Sequence, residues 1–142
     1  MKTIFFLTFF ALAWQFSAAQ NIHTDTTLWR ASGYADRNEG PSSYSVVSTF
    51  TVRSESQVEW IQQKTSSTGV ENYPQTFTIN GVNGDWSDVL QPGEITYQIS
   101  NTQVNGTLNL KKQNDHFILV IHLTTSRGTG VDHTFNVQLL EN

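Results

Sequence analysis

The chain contains no cysteine. That absence removes disulfides, thiol catalysis, thiolate metal sites and the acylated cysteine of a bacterial lipoprotein. The fold must therefore stand on its hydrophobic core alone. Charge is scarce as well, at 14% of 142 residues, and no basic block could follow a phosphate backbone. Nucleic acid is not an expected partner. Past the leader no apolar run approaches the roughly 20 residues of a spanning helix, so no transmembrane span is expected. Catalytic signatures are missing too. No Ser stands in a Gly-x-Ser-x-Gly elbow, there is no His-Glu-x-x-His, and no Gly-rich loop opens a helix to cradle phosphate.

What is present begins with an export signal. Lys2 gives a positive start, Ile4 to Phe16 is mostly large and apolar, and Ser17-Ala18-Ala19 supplies the small side chains that a signal peptidase needs. Cleavage is expected before Gln20, leaving residues 20–142 as one β-domain, secreted or periplasmic. Losing Lys2 leaves seven Lys and Arg against twelve Asp and Glu, a charge of −5. The remainder is rich in Ser, Thr, Asn and Gln and poor in Lys, Glu, Ala and Leu, which is a strand composition.

Period-two alternation recurs between clusters of turn residues. Tyr44, Val46, Phe50 and Val52 share one parity; Phe77 and Ile79 alternate with Thr76, Thr78 and Asn80; Ile95, Tyr97 and Ile99 alternate with Thr96, Gln98 and Ser100. Strands are expected over Thr27 to Asp36, Tyr44 to Arg53, Gln57 to Gln62, Thr76 to Val82, Glu94 to Ser100, Val104 to Lys111, His116 to Thr124 and His133 to Leu140. Ser54 to Lys64 also fits a short helix capped by Ser56, but the strand, with Val58 and Trp60 inward, is the preferred reading. Gly40-Pro41, the two glycines of Asn80 to Asp85 and Gln91-Pro92-Gly93 mark reversals. Short gaps favour antiparallel neighbours. The expected fold is all-β, a meander of about eight strands closing into a barrel, with a two-layer sandwich as the alternative. In size, export and strand count the plan is similar to small lipocalin-like barrels. The likeness is one of shape, because no Gly-x-Trp precedes the first strand.

Candidate sites follow from this layout. Asn83 to Glu94 sets oxygen side chains at its first, third and fifth positions and Glu at its twelfth, as a calcium loop does. Asp88 stands where that loop needs Gly, and strands flank it, so a polar turn is the simpler reading and no metal is expected. If the last two strands pair across Thr125 to Asp132 so that His122 opposes Phe135, then His122 and His133 become diagonal neighbours on one face. Two surface histidines remain the simpler reading there. Trp29 and Trp86 stand beside polar residues near a strand end and a turn, placed either to stack on a sugar or protein partner or to fold over the rim.

Tyr44, Phe50, Trp60, Phe77, Tyr97, Phe117 and Phe135 fall on the inner parity, where they fill the core or line a pocket. The leading functional expectation is a non-catalytic exported module with no cofactor, binding a small apolar ligand inside the barrel, with Tyr44, Trp60 and Tyr97 as wall residues. The alternative is a solid-core protein-interaction module. It uses the strand from Phe117 to Leu123, apolar on both parities, for a protein partner or self-association. A third reading makes Asp85 and Asp88 the acid and base of a hydrolase.

Overall fold

The computed structural model describes residues 20–32, 44–53 and 56–140, with only the backbone of residues 44 and 45. The expected leader and residues 33–36 of the first expected strand lie outside the described residues. Eight strands run in chain order: β1 (Thr27–Ser32), β2 (Tyr44–Arg53), β3 (Gln57–Ser66), β4 (Gly69–Asn83), β5 (Glu94–Ser100), β6 (Val104–Gln113), β7 (His116–Thr125) and β8 (Gly130–Leu140). Each pairs antiparallel with the next, and β8 returns to β1, so the sheet is a closed barrel. Closure decides against the sandwich. The ambiguous segment from Ser54 is strand from Gln57 onward, with Val58 and Trp60 buried. No described helix is long and apolar enough to cross a membrane.

Alternation sorts the side chains as the sequence predicts. Phe50, Phe77, Tyr97, Leu108, Leu119 and Phe135 point inward and are at most 1% exposed. Phe50 stacks on Trp60 at 5.5 Å between ring centres, and Phe135 meets Phe50 edge-on at 5.0 Å. Bulk of this kind from every wall fills the middle of an eight-stranded barrel. Thr27 and Ser48, the buried polar residues among those described, stand on the same inner parity and serve the indoles. Trp29 Nε1 donates to Thr27 Oγ1 at 2.8 Å, and Trp60 Nε1 donates to Ser48 Oγ at 3.2 Å. Each indole N–H thereby keeps a partner when it leaves water.

Two irregularities shape the cylinder. In β4 the register slips between Ile79 and Gly81, a bulge that places Asn80 as an extra residue; Asn80 Nδ2 donates to Ser100 Oγ at 2.7 Å. Past the bulge the inward parity flips, so Val82 packs on the core. In β6, a Cβ at Gly106 would stand 1.8 Å from the His122 carbonyl oxygen, so only glycine permits this approach of β6 to β7.

One end of the barrel is plugged by its own chain. The β4–β5 loop folds back so that Trp86 and Val89 are buried, and the segment before β1 lays Ile22 against them. Ile22 N donates to Trp86 O at 3.1 Å and Val89 N to Gln20 O at 3.2 Å, tying the two segments together. The loop is built around Trp86, whose Nε1 donates to Asp88 O and Gln91 O. A Cβ at Gly93 would sit 2.2 Å from the Trp86 ring, so glycine there lets the indole lie on the backbone. Trp29 is likewise buried, edge-on to Phe117 at 5.1 Å. Of the two placements open to these tryptophans, the structure takes the inward one, and neither indole is an exposed stacking platform.

Candidate binding cleft at the barrel seam

The two described wall residues of the expected interior site occupy different levels of a packed core. Trp60 lies among Phe50, Phe135 and His133 and is 3% exposed. The Tyr97 hydroxyl donates to Ile22 O at 3.2 Å, so its polar tip is spent on the plug, and burial pushes its phenol up to about 12. The side chain of Tyr44 lies outside the described residues; its backbone opens β2 at the end away from the plug, opposite Ser66.

The histidine expectation needs correction. The β7–β8 turn is tighter than Thr125 to Asp132: β8 begins at Gly130, Gly128 reverses the chain at φ +80°, and Thr124 faces Gly130. That shifts the register by an odd number of residues, which exchanges faces. His122 therefore opposes Asp132 on the outside, while His133 opposes Ile121 and turns inward, 6.1 Å from the Trp60 ring. The imidazoles are not neighbours, and no group of three metal-ligating side chains occurs among the described residues. His122 Nδ1 contacts Asp132 Oδ1, and its Nε2 faces Thr124 Oγ1 at 3.2 Å. The order carboxylate, imidazole, hydroxyl has the outline of a relay. It stands on the convex surface, however, with the His122 and Asp132 side chains 49% and 72% exposed, where an ion pair contributes little.

The calcium-like loop is committed to other work. Asp88 Oδ1 accepts from Leu90 N at 2.8 Å as a turn residue does, and Glu94 Oε1 accepts from Asn109 Nδ2 at 2.8 Å on β6. Lys112 Nζ donates to the carbonyls of Val89 and Leu90, pinning the loop to β6. On the doubly apolar β7, Ile118 lies between Lys111 and Asn136, and Val120 between Asn109 and Thr134. Both are half-buried, an apolar pair set in a polar surface.

The more promising concavity lies where the cylinder closes. Among the described residues three pairs join β1 to β8, from Leu28↔Leu140 to Arg30↔Gln138. β7 leaves β8 at Phe117↔Val137. Between the end of that ladder and the short β1–β8 ladder opens a cleft of about 670 Å³, a volume suited to a small ligand. Phe117, Val137, Leu139 and Leu140 supply its apolar lining; Arg30, Ser32, Asp115, His116, Asn136 and Gln138 supply polar, exposed groups. Among the described residues, none of these six side chains makes a hydrogen bond or ion pair. Arg30 brings a planar fork of N–H donors, and the two amides and the imidazole can donate or accept.

The sequence did not reveal this cleft, because its members come from residues 30–32, 115–117 and 136–140 and meet only through closure. The single signal available was Arg30 standing outward in a strand otherwise poor in charge. No family model, curated protein or solved structure matches the chain.

Proposed function

We propose that this β-barrel is an exported, non-catalytic binding module that holds a small ligand outside its filled core, in the cleft at the β1–β8 seam. The observation that carries the reading is the Arg30 guanidinium, which has no hydrogen-bond or ion-pair partner among the described residues, beside an apolar lining. Such a pairing suits a molecule with an anionic or strongly accepting group and an apolar body. The close packing around Trp60 and Tyr97 favours this placement over the barrel interior, where a ligand would have to displace buried side chains.

The test is a chemical-shift titration of labelled protein with simple carboxylate amphiphiles such as decanoate and indole acetate. Shifts should gather at Arg30, Asn136, Gln138 and Leu139, and Arg30→Gln should weaken binding about tenfold or more by removing a charge-assisted bond. Perturbation of the Trp60 indole N–H with a silent seam would return the site to the interior and sink this reading.

A further inference from the structure

We propose that the overhanging edge of β4 is a docking site for an extended, uncharged segment of a partner protein, which adds to the barrel as an extra strand beside residues 70–76. β4 is fifteen residues long, but β5 pairs with it only from Thr78 onward. Residues 69–77 are thus held by β3 on one side, and no described strand lies on the other. The direction of their backbone groups follows from one bond. Ile79 N donates to Ser56 O at 2.9 Å, continuing the β3 register. Odd positions of β4 therefore face β3, and residues 70, 72, 74 and 76 turn their backbone groups to the open side.

Side chains and shape agree with the backbone. Val70 at 58% and Tyr73 at 48% exposure are two of the four large hydrophobics left in water among the described residues, and they flank this edge from its two faces. An open groove of about 970 Å³ runs along it, walled by residues 72–76 and Thr78 and by the β5–β6 turn at residues 100–103. None of the groove residues is charged, and Glu71, the one carboxylate of residues 70–76, lies outside the groove lining and accepts from the Tyr73 hydroxyl. A charged segment would lose hydration there without gaining a counter-charge, so the complementary occupant is uncharged.

Pro74 decides between a foreign strand and a second copy. It carries no N–H, and its position faces the open side, so it removes one donor from the edge. Two-fold pairing of β4 with itself would suffer that loss in both copies, whereas a foreign strand meets it once and can still donate to the Pro74 carbonyl. Pro74 thus reads as a guard against self-association that leaves the edge usable.

A capped nonapeptide of alternating Thr and Val serves as the probe, followed by amide exchange and chemical shifts in the labelled protein. Binding should slow exchange at Val70, Asn72 and Thr76 and leave Glu71 and Tyr73, already paired to β3, unchanged. Pro74→Thr restores a donor and should tighten binding about three- to tenfold, the value of one more backbone hydrogen bond. Thr76→Pro removes a donor and should weaken binding by at least the same factor, with continued protection of the Ile79 amide showing that the hairpin is intact. The inference is overturned if the peptide protects none of the three amides in either wild type or Pro74→Thr. It is equally overturned if they become protected by raising the protein concentration alone, which would assign the edge to a second copy.

Discussion

At one end of the barrel Ile22, Trp86 and Val89 lie buried beneath a loop and a leading segment that bond to each other. At the other, the inward register carries Gln62, Lys64, Gln75 and His133, all half-buried, above the packed aromatic rings. Both ends have the same cylinder to finish. The plugged end does so with apolar bulk and with polar atoms committed inside the chain: the Trp86 indole, the Tyr97 hydroxyl and the Lys112 ammonium each serve a named carbonyl. The far end uses polar side chains on positions that deeper in the barrel are apolar. Stability should therefore be concentrated at the plug, and a substitution of Gln75 at the far end should be tolerated.

The largest effect expected from this contrast is at Trp86. Trp86→Ala removes a ring that packs on Phe117 and seats the loop, and should cost about 3 to 5 kcal/mol in denaturant unfolding. Gln75→Ala at the far end should stay within about 0.5 kcal/mol, the range of surface changes. Equal losses at the two sites would break the comparison.

Between the ends, Ser48→Ala should cost about 1 to 3 kcal/mol because the buried Trp60 N–H loses its acceptor. Adding Trp60→Phe to that variant should cost less than Trp60→Phe costs alone, since the orphaned donor is then gone. A double-mutant cycle measures the coupling, and simple additivity would show that the bond contributes nothing.

Alkaline titration sharpens the contrast further, because each end holds one tyrosine with a raised phenol. At the plug the cause for Tyr97 is burial; on the β4 overhang Tyr73 is raised by its hydrogen bond to Glu71 and by that carboxylate's charge. For Tyr97 the unfolded chain releases its proton near 10 and the folded chain near 12, so in that window the folded state holds more protons. Stability should be insensitive to this group below pH 10 and fall as pH rises from 10 to about 12. Tyr97→Phe should flatten that decline, whereas Tyr73→Phe, at an exposed site, should leave it nearly intact. The reverse pattern in melts between pH 9 and 12 would place the critical phenol at the wrong end.

Much of the cylinder was legible because strands with one wet face write their geometry into alternate residues. Phe50, Trp60, Phe77, Tyr97 and Phe135 could all be assigned inward on parity alone. Parity is silent about three other things. It does not say that the first strand meets the last, since Trp29 and Leu139 are far apart in the chain. It does not fix register across a turn, which is why His133 appeared on the wrong face. Nor does it reach into loops: Trp86 sits among polar neighbours with no periodicity, although Gly93, seven residues on, is the small residue that its ring requires. The seam cleft was illegible for the first of these reasons, and the β4 edge because residues 69–75, which extend the strand expected only from Thr76, carry no apolar alternation. Both are made where ladders end, and ladder ends depend on pairing.

The smallest expected effect concerns the plug loop, and it tests whether that end is finished by packing alone. Residues Asn83 to Glu94 mimic the spacing of a calcium loop, so an ion could in principle stabilise the fold by mass action. The geometry argues for no effect. Asp88 already accepts the Leu90 N–H, Glu94 already holds Asn109 of β6, and Trp86, fourth in the segment, is buried where a calcium loop would keep its ligands converging on an ion. Millimolar calcium should leave the melting temperature unchanged within about a degree in wild type and in Glu94→Ala alike. A rise of several degrees that vanishes in Glu94→Ala would mean that the loop reorganises around a metal, and the plugged end would then be a ligand-dependent closure.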